Sequence, residues 1–345
     1  MVTEMCSNIV SISKLREGNV RNALVKAIDL LGGVELPPSC NIVIKPNLCT
    51  FMGPETGATT DVRVVDALIE ILNDQNAENI FVVESRSYSG SAPAKFRRLG
   101  YTWLEEKFDN VKLVNLDEDR IYRIRFPENE HLKVVELPET ILESNYFVSV
   151  AKLKTSVQQG ITCVLKNQFG CIPGSKGHHH PRLSQTIADI NYVLRSDLCI
   201  IDGMYAMEGK GPIDGTPKRM DLIIAGRNPV ATDTVAARVM GFDPQSVPHL
   251  KRAADRGLGP MNHIELVGEA LKNVREPFKF IPSYAYLTLR MGDSIERMAE
   301  RLRKFGELAY LAGFFLSNVK EIWGDLRKLS LSEIRRELEE RMVGG

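Results

Sequence analysis

Residues 41–84 decide the fold, because they contain NIVIK (Asn41–Lys45), DVRVVDALIEIL (Asp61–Leu72) and IFVVE (Ile80–Glu84) in that order. The first and third segments are short β-branched runs, which are typical of buried parallel strands. The middle segment repeats apolar residues at helical spacing and begins beside Thr and Asp side chains that can cap a helix. The order predicts a βαβ unit, the building block of parallel sheets.

The same alternation continues along the chain. Further strands are predicted at Tyr146–Val150, Leu198–Ile201 and Leu222–Ala225, and helices at Ser184–Leu194 and Pro229–Met240. Residues 110–135 alternate polar and apolar side chains, which indicates an antiparallel edge or a small insertion. The pattern predicts an α/β protein with a mostly parallel, doubly wound sheet over residues 1–277, as one large unit or as two α/β lobes.

Residues 278–345 have mixed charge and helical periodicity, so a C-terminal helical extension is predicted there. Its apolar run Leu308–Leu316 is too short to span a membrane. We expect this run to pack against the body of the protein or to join two copies into a homo-oligomer. A membrane-surface role is the alternative.

Composition narrows the function classes. The 345 residues contain 44 Lys and Arg and 44 Asp and Glu, so no overall charge points to nucleic acid or to a membrane surface. The six cysteines are scattered without a CxxC pair, and neither a signal segment nor a transmembrane segment is found. These features predict a cytoplasmic protein with reduced thiols and without specific nucleic-acid binding.

Polar clusters follow four of the predicted strands in succession. The carboxyl ends of parallel strands meet at one edge of a sheet, where ligands of this fold class bind. One cluster alone would only mark the start of a polar loop, but four predict a crevice. The candidate anion-binding residues are Lys45, Asn47, Glu84, Ser85, Lys152, Lys154, Thr155, Asn167, Gly170, Asp202 and Glu208.

The segment Val150–His180 contains four lysines, four glycines and three histidines but no acidic residue. Crowded cations repel one another unless counter-charge is supplied, so we expect an anion to bind there. Lys152 and Lys154 flank one residue of a strand and are predicted to share a face, which suits a phosphate or carboxylate clamp. The alternative for both is an exposed, charged strand edge.

Three groups of residues are candidates for catalysis or metal binding. Partial burial of Lys166 would lower its pKa and free the amine for covalent or base chemistry, and the alternative is a snorkelling lysine or one that pairs with an anion. The histidines His178, His179 and His180 are candidates for a general base or metal ligand, and Cys49, Cys163 and Cys171 are candidates for cluster ligands. The alternative for the histidines is a solvated loop, and the alternative for the cysteines is simple burial as small apolar side chains.

Two acidic residues of the second half are interpreted differently. Glu208 opens the segment EGKGPIDG (Glu208–Gly215), whose glycines suggest a tight loop close to a ligand. Its carboxylate is therefore predicted to contact a metal or a substrate hydroxyl. Asp233 lies near the start of a predicted helix, and we interpret it as a structural residue that complements the helix dipole.

Seven segments carry a family resemblance, in this order: IKPNL (Ile44–Leu48), GATTD (Gly57–Asp61), AKLKTS (Ala151–Ser156), GITCVLKNQFGCIPG (Gly160–Gly174), IIDGMYAMEGKGPIDG (Ile200–Gly215), NPVATDTVAARVMGFDP (Asn228–Pro244) and RGLG (Arg256–Gly259). Together they resemble the DUF362 family, a group named for its unknown function. Many members carry ferredoxin repeats, which this sequence lacks, and the His that usually follows KLKT is Ser156 here.

The segment Gly160–Gly174 with its following histidines also resembles, more distantly, the part of the nickel-pincer lactate racemases that holds their cofactor. That resemblance implies that Lys166 is a cofactor-linked lysine and that one of the three adjacent histidines is a metal or acid–base partner. The resemblance is one of scaffold, and a scaffold can be shared without the chemistry.

Taken together, we expect an enzyme that binds a phosphorylated or carboxylated small molecule or cofactor in a basic, glycine-rich cleft. The two resemblances imply redox or racemase-like chemistry. One alternative is an iron–sulfur or electron-transfer protein, and another is a non-catalytic module that binds an anionic metabolite. The cofactor is left open, with a metal or an iron–sulfur cluster as the candidates.

Overall fold

The computed structural model describes residues 8–126 and 131–283. The strands are β1 (Ile9–Lys14), β2 (Asn41–Pro46), β3 (Asn79–Glu84), β4 (Val111–Asn115), β5 (Ile121–Arg125), β6 (Val134–Pro138), β7 (Tyr146–Ser156), β8 (Gly160–Ile161), β9 (Leu198–Glu208), β10 (Thr216–Gly226) and β11 (Glu265–Gly268). The α-helices are α1 (Val20–Asp29), α2 (Val62–Asn73), α3 (Ala92–Arg98), α4 (Thr102–Lys107), α5 (Glu139–Leu142), α6 (Cys163–Asn167), α7 (Leu183–Val193), α8 (Pro229–Val239), α9 (Pro248–Asp255) and α10 (Leu271–Val274). Short 3₁₀ helices lie at Pro54–Thr56, Gln168–Cys171, Gly177–Arg182 and Pro244–Ser246.

The strands form one nine-stranded sheet and a separate two-stranded ribbon. The order across the sheet is β11-β1-β10-β9-β7-β2-β3-β4, and β8 pairs with β7 outside this path. All pairs from β9 to β4 are parallel, and β10 alone runs against both of its neighbours. The predicted α/β fold with a mostly parallel sheet is confirmed, and β2, α2 and β3 form the predicted βαβ unit.

Helices cover both faces of the sheet, as alternating side-chain directions along a strand require. In β2, Ile42 and Ile44 contribute to the core under α1 and α2. Val43, between them, contributes to the opposite core, which is shared with α7, α8 and α9. The sheet is therefore buried on both sides, which explains why its strands read as continuous apolar runs.

Two predictions about local structure have different outcomes. Asp61 caps α2 as its position indicated, because its carboxylate accepts a hydrogen bond from the Arg63 N–H at 2.9 Å. The antiparallel edge predicted over residues 110–135 is only partly right. β4 is a parallel edge strand of the main sheet, whereas β5 and β6 form the antiparallel ribbon apart from it.

Beyond residue 283, the predicted helical extension and its role in a homo-oligomer lie outside the described residues. Within residues 8–126 and 131–283, no helix has both the length and the apolar character needed to cross a membrane.

The turn before α2 depends on a glycine. Gly57 has a φ of +75°, and a Cβ atom there would lie 2.2 Å from the carbonyl oxygen of Ala206 in β9. Gly100 has nearly the same φ, +78°, but its Cβ would meet no atom within 4 Å. Alanine variants of the two glycines can therefore separate the loss of stability due to backbone strain from the loss due to steric overlap.

We expect Gly100→Ala to lower the free energy of unfolding by about 1–2 kcal/mol, because an alanine resists a positive φ. Gly57→Ala is expected to lower it by about 1–3 kcal/mol more, because the backbone of β9 has to move. Urea unfolding of both variants measures the difference. Equal losses would contradict the close packing of this turn against β9.

Candidate functional site

A cavity of about 620 Å³ lies at the carboxyl ends of β2, β3 and β7. The segment that follows β8 forms one wall, and Pro212, in the loop between β9 and β10, contributes from another side. The predicted site residues that line the cavity are Lys45, Asn47, Cys49, Glu84, Lys154, Lys166, Asn167, Gly170 and His180. Nine other candidates lie outside its wall: Ser85, Lys152, Thr155, Cys163, Cys171, His178, His179, Asp202 and Glu208.

The cavity wall is strongly basic. It includes five cationic side chains and one carboxylate, that of Glu84. The five are Lys45, Lys154, Lys166, Lys176 and Arg86. A cavity with low-dielectric walls concentrates the field of such charges, which favours an anion inside it.

Lys45 and Glu84 form a buried ion pair between the ends of β2 and β3, with 2.9 Å from Nζ to Oε2. The Glu84 carboxylate also accepts hydrogen bonds from the N–H groups of Leu48 and Ser85. Burial alone would raise the pKa of Glu84, but the charges of Lys45 and Lys95 and these hydrogen bonds outweigh it, and the pKa is lowered. Glu84 is thus an ionised partner for Lys45.

Gly170 leaves room for this pair. A Cβ atom on Gly170 would lie 2.9 Å from the Lys45 Nζ and 3.4 Å from the Glu84 Oε1. The carbonyl oxygen of Gly170 accepts the hydroxyl of Ser85 at 2.5 Å. Ser85 therefore stabilises the position of Gly170 in the cavity wall.

An amide network connects the strand ends to α6. The Lys154 Nζ donates to the Asn47 Oδ1 at 2.9 Å, and the Asn47 Nδ2 donates to the Asn167 Oδ1 at 3.2 Å. The Asn167 Nδ2 in turn donates to the Lys45 carbonyl oxygen at 2.9 Å and to the Ser149 Oγ at 3.1 Å. The network fixes the lysines of two strands relative to each other.

Lys154 is fully buried and has two further acceptors. Its Nζ lies 3.2 Å from the Cys49 Sγ and also donates to the carbonyl oxygen of Ala58. Burial lowers the pKa of Lys154, and Cys49 opposes this shift. None of these acceptors is a carboxylate.

Lys166 differs from the other cavity lysines because its ammonium has no hydrogen-bond acceptor among the residues that the structure describes. Burial and then the charge of Lys154 lower its pKa to about 8. The lysine lies on α6, where the Asp233 carboxyl accepts the N–H groups of Val164 and Leu165 at 2.7 and 2.9 Å. Asp233 is therefore structural, but it caps α6 rather than complementing the dipole of its own helix, α8, as the sequence interpretation had it.

Lys176 was not among the residues selected from the sequence. Its Nζ donates to the Ser85 Oγ and to the Arg86 carbonyl oxygen, both at 2.7 Å. Its pKa is lowered to about 8, mainly because the side chain is buried. Its sequence signal was its place between Gly174 and Gly177 in a segment without acidic residues.

The three histidines lie on the 3₁₀ helix Gly177–Arg182. His180 lines the cavity, and its Nδ1 lies 3.0 Å from the Gln158 Oε1. The rings of His178 and His179 contact each other in a tilted arrangement, with centroids 3.9 Å apart and 42° between the ring planes. Burial lowers the pKa of His179 to about 4.

Lys152 and Lys154 lie on the same face of β7, as the strand pattern predicted, because Ala151 and Leu153 contribute to the core on the opposite face. The register between β7 and β9 shifts between the two lysines, and of the two only Lys154 lines the cavity. Lys152 is fully buried in an ion pair with Asp202, with 2.8 Å from Nζ to Oδ2. Asp202 also accepts the N–H groups of Asp61 and Met204. Both residues of this pair cross-link the core.

Thr155 and Glu208 hold the loop between β9 and β10. The Thr155 hydroxyl donates to the Gly209 carbonyl oxygen at 3.2 Å and accepts the Gly211 N–H at 3.3 Å. The Glu208 Oε2 accepts the Lys279 N–H at 3.0 Å. Neither side chain contacts the cavity, but the loop that they hold carries Pro212 to its wall.

The cysteines do not assemble into a ligand set. Cys163 and Cys171 are fully buried, and burial raises the pKa of Cys163 well above its usual value and that of Cys171 to about 12. Metal ligation requires the thiolate, which burial disfavours here. Across residues 8–126 and 131–283, no three His, Cys, Asp or Glu side chains are grouped so that they could hold a metal ion.

Comparison with known families settles the relationship of this chain. Residues 42–238 match the family described as "Domain of unknown function (DUF362)". The chain belongs to the DUF362 family. The match covers both strands of the βαβ unit, the cavity segment and α8 up to residue 238, and it confirms the family resemblance of the sequence motifs.

One protein is similar to this DUF362 protein in sequence, and one solved structure superposes on part of it. The thylakoid-associated protein sll1697 of Synechocystis sp. (strain ATCC 27184 / PCC 6803 / Kazusa) is 27% identical over 267 residues, which are 73% of this chain and 81% of the relative. The lactate racemase apoprotein of Thermoanaerobacterium thermosaccharolyticum superposes with a TM-score of 0.34 and 12% identity. That superposition covers 64% of this chain and 54% of the racemase. The cytoplasmic location predicted from the sequence stays a prediction.

The buried pair of Lys152 and Asp202 leads to a stability prediction. Lys152→Met leaves an unpaired carboxylate in the core, so we expect a loss of about 3–5 kcal/mol in the free energy of unfolding. Arg123→Met is the control, since it breaks an exposed pair with Glu136 that is expected to contribute below about 1 kcal/mol. Denaturant unfolding of both variants provides the test, and similar losses would be inconsistent with a structural role for Lys152.

Asp233 leads to a prediction about pH. Burial raises its pKa to about 8, far above the ordinary value of 3.8, so the folded protein retains a proton that the unfolded chain releases. The stability from this proton is complete below about pH 4 and is lost as the pH rises toward about 8. Asp233→Asn cannot titrate.

We therefore expect the stability of the unmodified protein to decline relative to Asp233→Asn between about pH 5 and pH 8. Urea unfolding at several pH values measures both proteins. A difference that does not change with pH would show that Asp233 is already ionised in the folded state.

Proposed function

We propose that this DUF362 protein is an enzyme that binds an anionic small molecule or cofactor, phosphorylated or carboxylated, in its lysine-lined cavity. The observation that carries the proposal is the set of five cationic side chains around about 620 Å³, with one carboxylate among them. Pockets of about 300–1,000 Å³ are the size that small-molecule ligands occupy.

The charge balance inside the wall supports an anion. Among the described residues, Lys45 is the one cavity lysine that is paired with a carboxylate. Lys154 and Lys176 donate to amide, hydroxyl, carbonyl or sulfur acceptors, and Lys166 has none. A ligand phosphate or carboxylate would supply the missing counter-charge, and charged hydrogen bonds of this kind are short and strong.

Catalysis rather than simple binding is supported by Lys166 and His180. The pKa of Lys166, about 8, leaves part of its amine neutral near pH 7, which suits a base or a nucleophile. Burial and then Lys166 lower the pKa of His180, which keeps its imidazole neutral beside the amine. A site with a neutral imidazole, a partly neutral amine and several fixed cations fits proton transfer on an anionic substrate.

The two alternatives are distinguished by turnover and by ligands. A non-catalytic module for an anionic metabolite would use the same cavity, but it would not need the lowered pKa of Lys166. The iron–sulfur alternative has no supporting ligand group in the part of the chain that the structure describes. The redox or racemase-like chemistry rests on family resemblance alone.

Anion binding is tested with pyrophosphate and citrate by calorimetry and by the melting temperature of the full-length protein. We expect Arg86→Gln and Lys166→Gln each to weaken binding at least about tenfold, because each removes a charge worth about 1.5–3 kcal/mol when hydrogen-bonded. Neither side chain forms an ion pair with the residues that the structure describes, so these variants are expected to fold.

The control is Lys112→Gln, whose exposed side chain lies on β4 away from the cavity. It should leave the affinity unchanged. Absence of any anion-dependent stabilisation, or equal affinities for all variants, would be evidence against the proposal.

A further inference from the structure

We propose that Lys166 forms an imine with the carbonyl group of an anionic substrate, an aldehyde or ketone that also carries a carboxylate or phosphate. The inference rests on the proposed function, because the same cavity would hold the anion. It adds the chemical class of the substrate and the atom that attacks it.

The hydrogen-bond pattern singles out Lys166. The ammonium groups of Lys45, Lys154 and Lys176 each donate to at least two acceptors, which stabilise the charged form. Lys166 has no acceptor in the described part of the chain, although it faces the same cavity. Its amine is therefore the cavity amine that is free to attack a carbonyl carbon.

The electrostatic surroundings also favour the neutral amine of Lys166. Burial and the charge of Lys154 lower its pKa to about 8, while Cys49 opposes the shift. His180 and His249 also interact electrostatically with Lys166, and burial lowers the pKa of both imidazoles. Neither residue supplies a negative charge that would stabilise the ammonium form of Lys166. At pH 7 about a tenth of the Lys166 side chains carry a neutral amine.

Thr162 gives an independent indication of a ligand beside Lys166. It lies four residues earlier, lines the same cavity and is only 2% exposed. Its Oγ1 has no hydrogen-bond partner among the described residues. A buried hydroxyl without a partner is costly, so a ligand oxygen next to Lys166 would satisfy it.

The reaction needs no further reactant. The neutral Nζ of Lys166 attacks the carbonyl carbon, a C–N bond forms, and one proton moves from nitrogen to the former carbonyl oxygen. That oxygen then takes the second proton from nitrogen and leaves as water, while the nitrogen electron pair completes the C=N bond. The Nδ1 of His180 faces Gln158, which leaves its Nε2 to move these protons.

An imine attached to Lys166 can be trapped. The full-length protein is incubated with glyoxylate or glyceraldehyde 3-phosphate and sodium cyanoborohydride, which reduces the C=N bond to a stable amine. Peptide mass mapping locates the adduct. We expect one adduct, at Lys166, with a rate at least about tenfold higher than with uncharged acetaldehyde, because the lysines concentrate the anionic reagents.

Lys166→Arg keeps the positive charge but cannot form the imine, so it should abolish the adduct while anion binding persists. Lys166→Met serves if the arginine variant does not fold. Lys112→Arg is the matched surface control and should react like the unmodified protein. Adducts at Lys176, or spread over surface lysines with no preference for charged aldehydes, would overturn the inference.

The two proposals fail in different ways. If pyrophosphate and citrate bind but neither aldehyde is trapped at Lys166, the imine is wrong and the anion site stands. If neither anions bind nor aldehydes are trapped, both proposals are wrong.

Discussion

Buried ammonium groups are the constraint on which this structure depends. Lys45, Lys95, Lys152 and Lys154 are among the largest fully buried side chains, and each ammonium needs acceptors inside the protein. The acceptors come from other segments of the chain, so every satisfied lysine ties two segments together. Lys45 joins β2 to β3, and Lys152 joins β7 to β9. The carboxyl edge of the sheet is therefore cross-linked by charge as well as by backbone hydrogen bonds.

This constraint separates the lysines into two groups with different roles. Lys152 is structural, because its charge is compensated by the Asp202 carboxylate. Lys166 has no hydrogen-bond acceptor in the described residues, so its amine is not engaged by the protein. If the cavity is catalytic as proposed, Lys166 would act among fixed, charged neighbours, which is the preorganisation that electrostatic catalysis requires.

The fold was largely predictable because it is recorded in local patterns. The β-branched runs and the helical period of residues 41–84 identify a βαβ unit without knowledge of distant contacts. The motifs shared with the DUF362 family extended the prediction to the edge of the sheet where the polar clusters meet. The site was less predictable, because it depends on pairing between distant residues. Lys152 pairs with Asp202 of β9, whereas Lys154 lines the cavity, and the segment that contains both lysines does not indicate this difference.

Dependence on contacts between distant residues also explains why the arrangement of the histidines and cysteines could not be predicted from the sequence. The sequence of three adjacent histidines does not by itself distinguish a strand from a 3₁₀ helix. The distinction depends on tertiary contacts, such as the packing of Phe169 against His179 and His180. Cysteines that are eight residues apart reveal nothing about whether their side chains meet. Lys176 was missed because its acceptors, on Ser85 and Arg86, are about ninety residues away in sequence.

The hairpin of β9 and β10 contributes a part of the cavity wall that lies outside the strand pairing. Its strands pair as far as Glu208 and Thr216, and the intervening loop brings Pro212 to the wall. Lys45 and Lys154 lie on strands of the sheet, whereas residues 209–215 form a loop outside the ladder. If the cavity binds an anion as proposed, replacing this loop would alter ligand selectivity while the lysines on the strands are retained.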